Sequence, residues 1–187
     1  FLHIPGIKVV IPSNPADAKG LLKSAIRDDN PVIYFEHKKL FSMKGEVPEG
    51  EFVTPIGKAK VVREGSDVTL ISYSMTMNLA SEAAQILEKE GISVELIDLR
   101  TISPIDKETI LNSVAKTSRL AIAHEAVKQG GVGAEIAAIV SEEAIDCLDA
   151  PIVRVGAPFT PVPFARPLEK AYRITPEKIA DAVRKMQ

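Results

Sequence analysis

Apolar residues along this chain fall into two rhythms. Short, mostly aliphatic runs (VTLISY from Val68, VELID from Val94, LAIAHE from Leu120, IVRVG from Ile152) alternate with longer segments whose apolar positions recur every third or fourth residue. Aliphatic runs without polar alternation belong to strands covered on both faces, and the longer segments to amphipathic helices. Repetition of strand, helix and strand between Asp67 and Gly156 predicts a three-layer αβα fold built on a mostly parallel sheet. Sheets of this kind hold ligands where strands end and helices begin.

The first 36 residues read as one strand–helix–strand unit. Lys8 to Ile11 form the first strand, Ser13 or Asn14 caps a helix with Pro15 in its first turn, and Asp28-Asp29-Asn30-Pro31 ends it. Ala18, Leu21, Leu22, Ala25 and Ile26 share the predicted buried face, and Val32 to Phe35 make the second strand. Two strands and a helix cannot bury a sheet, so residues 1–36 are expected to be the end of a larger α/β domain. A start at Phe1 without Met fits a chain cut from a longer one.

Periodicity vanishes from His37 to Gly57, where lysines alternate with Gly45, Pro48, Gly50 and Pro55. Residues 37–57 are therefore assigned as a linker and 58–187 as a second domain. That domain is predicted to open with an antiparallel hairpin, Lys58–Val62 against Asp67–Tyr73, turning at Glu64 to Asp67. Helices follow around Leu79, Ala83, Ile86 and Leu87 (stopped by Gly91), around Ile110, Leu111 and Val114 (capped by Asp106), and around Ile136, Ile139, Val140 and Ala144. A proline-rich stretch from Pro158 to Pro167 precedes a last helix capped by Thr175, with Ile179, Val183 and Met186 inward.

Composition narrows the function classes. The 187 residues are 45% hydrophobic and 26% charged with a net charge of −2, which offers no basic field for nucleic acid. No apolar run approaches the ~20 residues of a membrane span. A single cysteine, Cys147, forbids an internal disulfide and fits a reducing cytoplasm.

Several features carry possible chemistry. Gly130-Gly131-Val132-Gly133 lies between a strand and a helix and reads either as a phosphate cradle or as a tight turn. Ile136 at the third glycine position of the dinucleotide fingerprint favours the turn. His124 and Glu125 end a strand, but neighbours in a strand point to opposite faces, which speaks against an acid–base pair. His3 and His37 are isolated in sequence, and no spacing suits a transition metal. At the end of the first helix, carbonyl and acid oxygens from Ala25 to Asn30 suit either a hard cation or simple solvation. Phe159, Val162 and Phe164 stand in the proline-stiffened stretch, which reads equally as a docking face or a connector.

Ordered motifs then give a resemblance. His3-Ile4-Pro5-Gly6-Ile7-Lys8-Val9-Val10, Asp17-Ala18-Lys19-Gly20-Leu21-Leu22, Ala25-Ile26-Arg27-Asp28, Ile97-Asp98-Leu99-Arg100-Thr101-Ile102-Ser103-Pro104, His124-Glu125-Ala126 and Thr160-Pro161-Val162-Pro163-Phe164 together resemble the beta subunits of thiamine-diphosphate-dependent 2-oxo acid dehydrogenases. The second half is most similar to acetoin dehydrogenase beta subunits, followed by those of pyruvate dehydrogenase. The resemblance implies the end of a pyrimidine-binding domain in residues 1–36 and a transketolase C-terminal domain in 58–187. It implies thiamine diphosphate and magnesium as cofactors of the intact enzyme, with the pyrimidine-activating glutamate and a His-Ser-Gln motif upstream of this chain. It also implies potassium held around Ala25, Ile26, Asp28 and Asn30. The implied partners are an alpha subunit, a second beta subunit in an alpha2beta2 tetramer, and a dihydrolipoyl acyltransferase docked near Phe159, Val162 and Phe164. Relatives often carry an acid where this chain has Phe159, so docking here would use other contacts. A stand-alone interaction module and a nucleotide-binding regulator remain the rival readings.

Overall fold

A computed structural model describes residues 1–186. In chain order the elements are β1 (Lys8–Val10), α1 (Pro15–Ile26), β2 (Val32–Tyr34), a 3-10 turn (Lys38–Leu40), β3 (Lys60–Arg63), β4 (Val68–Ser72), α2 (Ser74–Glu88), β5 (Val94–Asp98), β6 (Thr101–Ser103), α3 (Lys107–Thr117), β7 (Leu120–Val127), α4 (Val132–Glu143), a second 3-10 turn (Ile145–Cys147), β8 (Val153–Ala157), α5 (Arg166–Tyr172) and α6 (Pro176–Arg184).

The aliphatic runs become the greater part of a five-stranded sheet ordered β3-β5-β4-β7-β8. β4 lies parallel to β5 and β7, β7 lies parallel to β8, and β3 alone runs antiparallel, against β5. Every residue of β4 and β5 is buried, as expected of strands covered on both faces. Alternation sorts their side chains. Leu70, Leu96, Ala121 and Val155 face α2 and α6 through Ala80, Ala84, Leu87, Ile179 and Val183. Ile71, Ile97 and Ile122 face α3 and α4 through Ile110, Val114, Ile136 and Val140. Each fully buried aliphatic side chain contributes ~1.5–3 kcal/mol, so both helical layers are held mainly by these faces. The fold is thus the three-layer α/β arrangement that the sequence predicts.

The caps also follow the sequence. Asn14 accepts from the Asp17 amide, Asp106 from Thr109 and Thr175 from Lys178, each satisfying an orphan donor at a helix start.

Four expectations need correction. The hairpin does not form: β3 pairs with β5 rather than with β4, because both edges of β4 are taken by parallel neighbours. The intervening turn crosses the end of β5, and a Cβ on Gly65 would lie 2.2 Å from the Glu95 amide nitrogen. Second, the face of α1 is rotated: Leu22 and Ile26 are 45% and 75% exposed, while Asp17, Gly20 and Leu21 are buried. Gly20 sits inward because Thr54 and Phe52 press on it, with Thr54 Oγ1 only 2.2 Å from where its Cβ would be. Residues 37–57 accordingly cross α1 in contact. Third, β6 is absent from the sequence-based reading. It runs antiparallel to β1, completing a second sheet of order β2-β1-β6 and joining the first unit to the larger one. Last, α5 is a helix that the sequence pattern does not predict; it begins at the end of the proline-rich stretch, since Pro167 serves its first turn rather than breaking it.

Candidate functional site

The carboxyl ends of β1 and β2 open onto a cavity of about 250 Å³ lined by Pro12, Asn14, Pro15, Ala18, Tyr34, Glu36, His37, Leu40, Phe41 and Met43. Tyr34 closes its floor, its hydroxyl donating to the Ala18 carbonyl at 2.9 Å, and burial pushes the phenol up to about 12. His37 stands at the rim. Its Nδ1 accepts from the Lys39 amide at 3.3 Å, which puts the proton on Nε2, and Nε2 donates to Glu125 Oε2 at 2.9 Å. Glu125 comes from the carboxyl end of β7, so the strand-end edges of the two sheets meet at this pair. Sequence separation hides it; His37 is not isolated in space.

Beneath the cavity a buried polar network joins the two units. Asp98, at the end of β5, accepts from the Ser13 hydroxyl and, at 3.1 Å, from the Arg100 amide. Burial raises its carboxyl to about 6, opposed by the Ser13 hydrogen bond. Arg100, in the left-handed region with φ 55°, turns the chain from β5 into β6. Its guanidinium donates to Asp17 Oδ1 (3.2 Å), to the Lys58 carbonyl (3.1 and 2.8 Å) and to the Ala59 carbonyl (3.2 Å). Asp17 also receives Thr54 Oγ1 at 3.0 Å and Asn14 Nδ2 at 2.8 Å. One arginine therefore ties α1, the lead into β3 at Lys58 and Ala59, and the β5–β6 turn together.

His124 is fully buried near the carboxyl end of β7, next to Glu125 in the chain. Its Nδ1 donates to the Ala126 carbonyl at 3.0 Å, its ring stacks on Tyr73 at 6.1 Å, and desolvation lowers its pKa, so it is neutral. Nε2 is then a lone pair without a hydrogen-bond partner among the described residues. Cβ atoms on Gly131 and Gly133 would fall 2.9 and 2.8 Å from the ring. The glycine loop is thus a close-packing turn: a lone pair facing the first turn of α4 repels an anion rather than receiving one.

The residues assigned to a cation lie on the last turn of α1 and just beyond it. The Asp28 amide donates to the Ala25 carbonyl at 3.4 Å, and Asp28 Oδ1 accepts from the Asn30 amide and side chain at 2.9 and 3.1 Å. Asp28 Oδ2 is held by Lys8 at 2.5 Å, which with Asn30 lowers the carboxyl to about 2. Asp28, Ala25 and Asn30 are thus brought together, while the Ile26 side chain projects into solvent. The assigned interface residues Phe159, Val162 and Phe164 are all exposed, Phe164 completely, on the loop between β8 and α5. Among the described residues no group of three or more His, Cys, Asp or Glu could hold a metal ion, and no helix is long and apolar enough to cross a membrane.

Sequence reasoning missed Asp17, Asp98 and Arg100 as a unit. The available signal was an Asp and an Arg at the end of a fully buried strand, together with an acid on the inner face of α1 near Gly20.

Residues 57–179 match the family model described as transketolase, C-terminal domain, and residues 1–44 match that of the transketolase pyrimidine binding domain. The 2-oxoisovalerate dehydrogenase subunit beta of Bacillus subtilis is 47% identical over all of this chain and 58% of its own length. The acetoin:2,6-dichlorophenolindophenol oxidoreductase subunit beta of the same organism is 50% identical over 96% of this chain and 52% of its own. A solved structure of a split-gene transketolase, an inactive beta4 tetramer, superposes with a TM-score of 0.81 at 28% identity, covering 98% of this chain and 58% of that one. The chain spans about half the length of the curated relatives it matches.

Proposed function

The chain belongs to the transketolase C-terminal domain family, and from that footing we propose that it is the C-terminal part of the beta subunit of a thiamine-diphosphate-dependent dehydrogenase component. The proposed substrate is acetoin, cleaved so that its acetyl unit passes to the lipoyl-lysine of a dihydrolipoyl acyltransferase. The observation that carries this reading is the 50% identity to an acetoin oxidoreductase beta subunit over nearly the whole chain. A second reading, a branched-chain or pyruvate dehydrogenase beta subunit, is favoured by the 47% identity to the 2-oxoisovalerate enzyme's subunit.

Thiamine diphosphate, when bound, supplies the carbanion stabilisation that such cleavage needs. The residues in hand do not fit it unaided. The cavity at the β1 and β2 ends is largely apolar, no Lys or Arg lines it to meet a diphosphate, Glu36 is the one carboxylate in its lining, and the described residues hold no cluster of three or more His, Cys, Asp or Glu for magnesium. No catalytic step is therefore assigned to this chain's side chains. Their proposed work is assembly. Residues 1–36 complete a pyrimidine-binding domain, 37–57 strap it, and 58–187 carry association with an alpha subunit and a second beta subunit. Phe159, Val162 and Phe164 form the proposed docking face for the acyltransferase. The turn at Ala25, Ile26, Asp28 and Asn30 is the proposed potassium site.

The test is artificial-acceptor reduction by the full-length subunit co-expressed with its alpha subunit, supplied in turn with acetoin, pyruvate and 2-oxoisovalerate. Turnover led by acetoin supports the first reading, and turnover led by a 2-oxo acid transfers the assignment to the second. Absence of turnover with all three overturns both.

A further inference from the structure

β8 is the outermost strand of the five-stranded sheet, and among the described residues no further strand pairs with its outer edge. That edge, from Val153 to Gly156, floors a groove of about 260 Å³. Four cations line the groove, Lys128, Arg154, Lys178 and Lys185, and no acidic residue does.

Strand geometry distributes these charges on both sides of the edge. Val153 and Val155 face α6, which contributes Lys178 and, at its C-cap, Lys185 on that side. Arg154 points to the other face, where its guanidinium donates to the Lys128 carbonyl at 3.0 Å, and the Lys128 side chain lies over Gly156. Lys178 spends its ammonium on the Ala171 and Arg173 carbonyls at 2.8 and 2.6 Å, which leaves its charge unneutralised. Among the described residues none of the four has a carboxylate partner. Arg184, next to Lys185 in sequence, is by contrast held by both Glu90 and Asp181. In a chain of net charge −2, this is a local excess of positive charge around an open strand edge.

We propose that the β8 edge, flanked by Lys128 and Arg154 on one face and Lys178 and Lys185 on the other, binds an extended acidic peptide segment by strand addition. An added strand would satisfy the edge backbone and send alternate side chains to the two faces, where each set meets cations. Charge complementarity selects the occupant. Lysines beside an edge discourage pairing with neutral or basic strands, and two β8 edges from separate copies would bring like charges together. A small anion would leave the backbone edge unused. The inference does not rest on the thiamine-enzyme reading and uses none of the residues assigned there.

The experiment is fluorescence anisotropy of the purified protein with three short labelled peptides: an acidic one rich in glutamate and valine, its lysine-for-glutamate counterpart, and the acidic one with alternate backbone amides N-methylated. The acidic peptide is expected to bind, with affinity falling as salt rises, while the basic one does not. The double variant Lys128→Glu/Lys185→Glu should bind on the order of tenfold more weakly, because two exposed attractions become repulsions. Both positions are exposed, and thermal melting verifies that the variant is folded. The N-methylated peptide keeps its charge but cannot pair as a strand. Loss of its binding to the unaltered protein supports the proposal whatever the variant does. Equal binding of the N-methylated peptide, displacement by inorganic pyrophosphate at matched charge, or no binding of the acidic peptide overturns it.

Discussion

Replacing Arg100 by alanine tests whether the polar junction, beyond the short β1–β6 pairing, holds the first unit against the larger sheet. The side chains of Arg100 and Asp17 are only 11% and 6% exposed, so their 3.2 Å contact is screened little by solvent or salt. Breaking a buried ion pair by removing one partner costs ~3–5 kcal/mol, because the survivor keeps its desolvation penalty. Two features pull the expected value to the lower end. Asp17 retains donors from Thr54 and Asn14, and the abandoned Lys58 carbonyl belongs to a residue near the surface that water can reach. About 3 kcal/mol is therefore expected for Arg100→Ala.

A double-mutant cycle with Asp17→Asn separates the pair from everything else the arginine does. Removing both charges should cost less than the sum of the single losses, with a coupling on the order of 2 kcal/mol. The chain has no Trp, so far-UV circular dichroism in urea is the suitable readout. Arg100→Ala should also make the β6 and β1 amides exchange faster than those of β4, since the junction opens before the main sheet. A coupling below about 0.5 kcal/mol, or uniform exchange across both sheets, refutes the account.

Three further outcomes follow from the same geometry. Asp98 titrates near 6 when folded against 3.8 in the free side chain, so the folded state holds more protons in that window and the wild type loses stability as pH rises through it. Asp98→Asn should therefore gain on the wild type by on the order of 3 kcal/mol between about pH 4 and 7, and parallel stability curves would contradict this. Phe164 is fully exposed, so Phe164→Ala should leave the melting temperature unchanged while weakening self-association or acyltransferase docking by ~1–3 kcal/mol, read by sedimentation. The full-length subunit should melt at higher temperature in potassium than in choline salts if the α1 turn holds the ion; equal melting with no ion density there counts against it.

What the sequence revealed follows from what each pattern encodes. Mostly aliphatic runs without polar alternation in β4 and β5 report burial on two faces, and so give the sheet and its helical layers directly. Caps at Asp106 and Thr175 depend only on residues three positions away and are equally readable, while the first cap is left between Ser13 and Asn14 until the structure shows Asn14 accepting from Asp17. The α1 face departs from its pattern because Leu22 and Ile26 sit at helical spacing with Ala18, yet the crossing segment comes to Gly20 instead. β6 is not legible in the sequence because three residues beside Pro104 carry no periodicity, and its partner β1 lies far away in sequence. Junction residues were invisible as a group for the same reason: Asp17, Thr54, Asp98 and Arg100 are brought together by the fold, and no local pattern encodes that.

The two units also meet at the surface, and this bears on how the docking face would work. Val127 at the end of β7 lines one hollow with Phe159, Thr160 and Pro161, and a second with His37, Glu125, Val162 and Tyr172. The exposed loop therefore begins beside the His37–Glu125 pair that joins the strand ends of the two sheets. A partner seated on Phe159, Val162 and Phe164 would touch residues of both units and gain affinity from their fixed relation. Loosening the Arg100 junction should consequently weaken docking even though Arg100 lies outside the loop. Docking by Arg100→Ala equal to that of the parent, at a temperature where both are folded, would show that the loop acts alone.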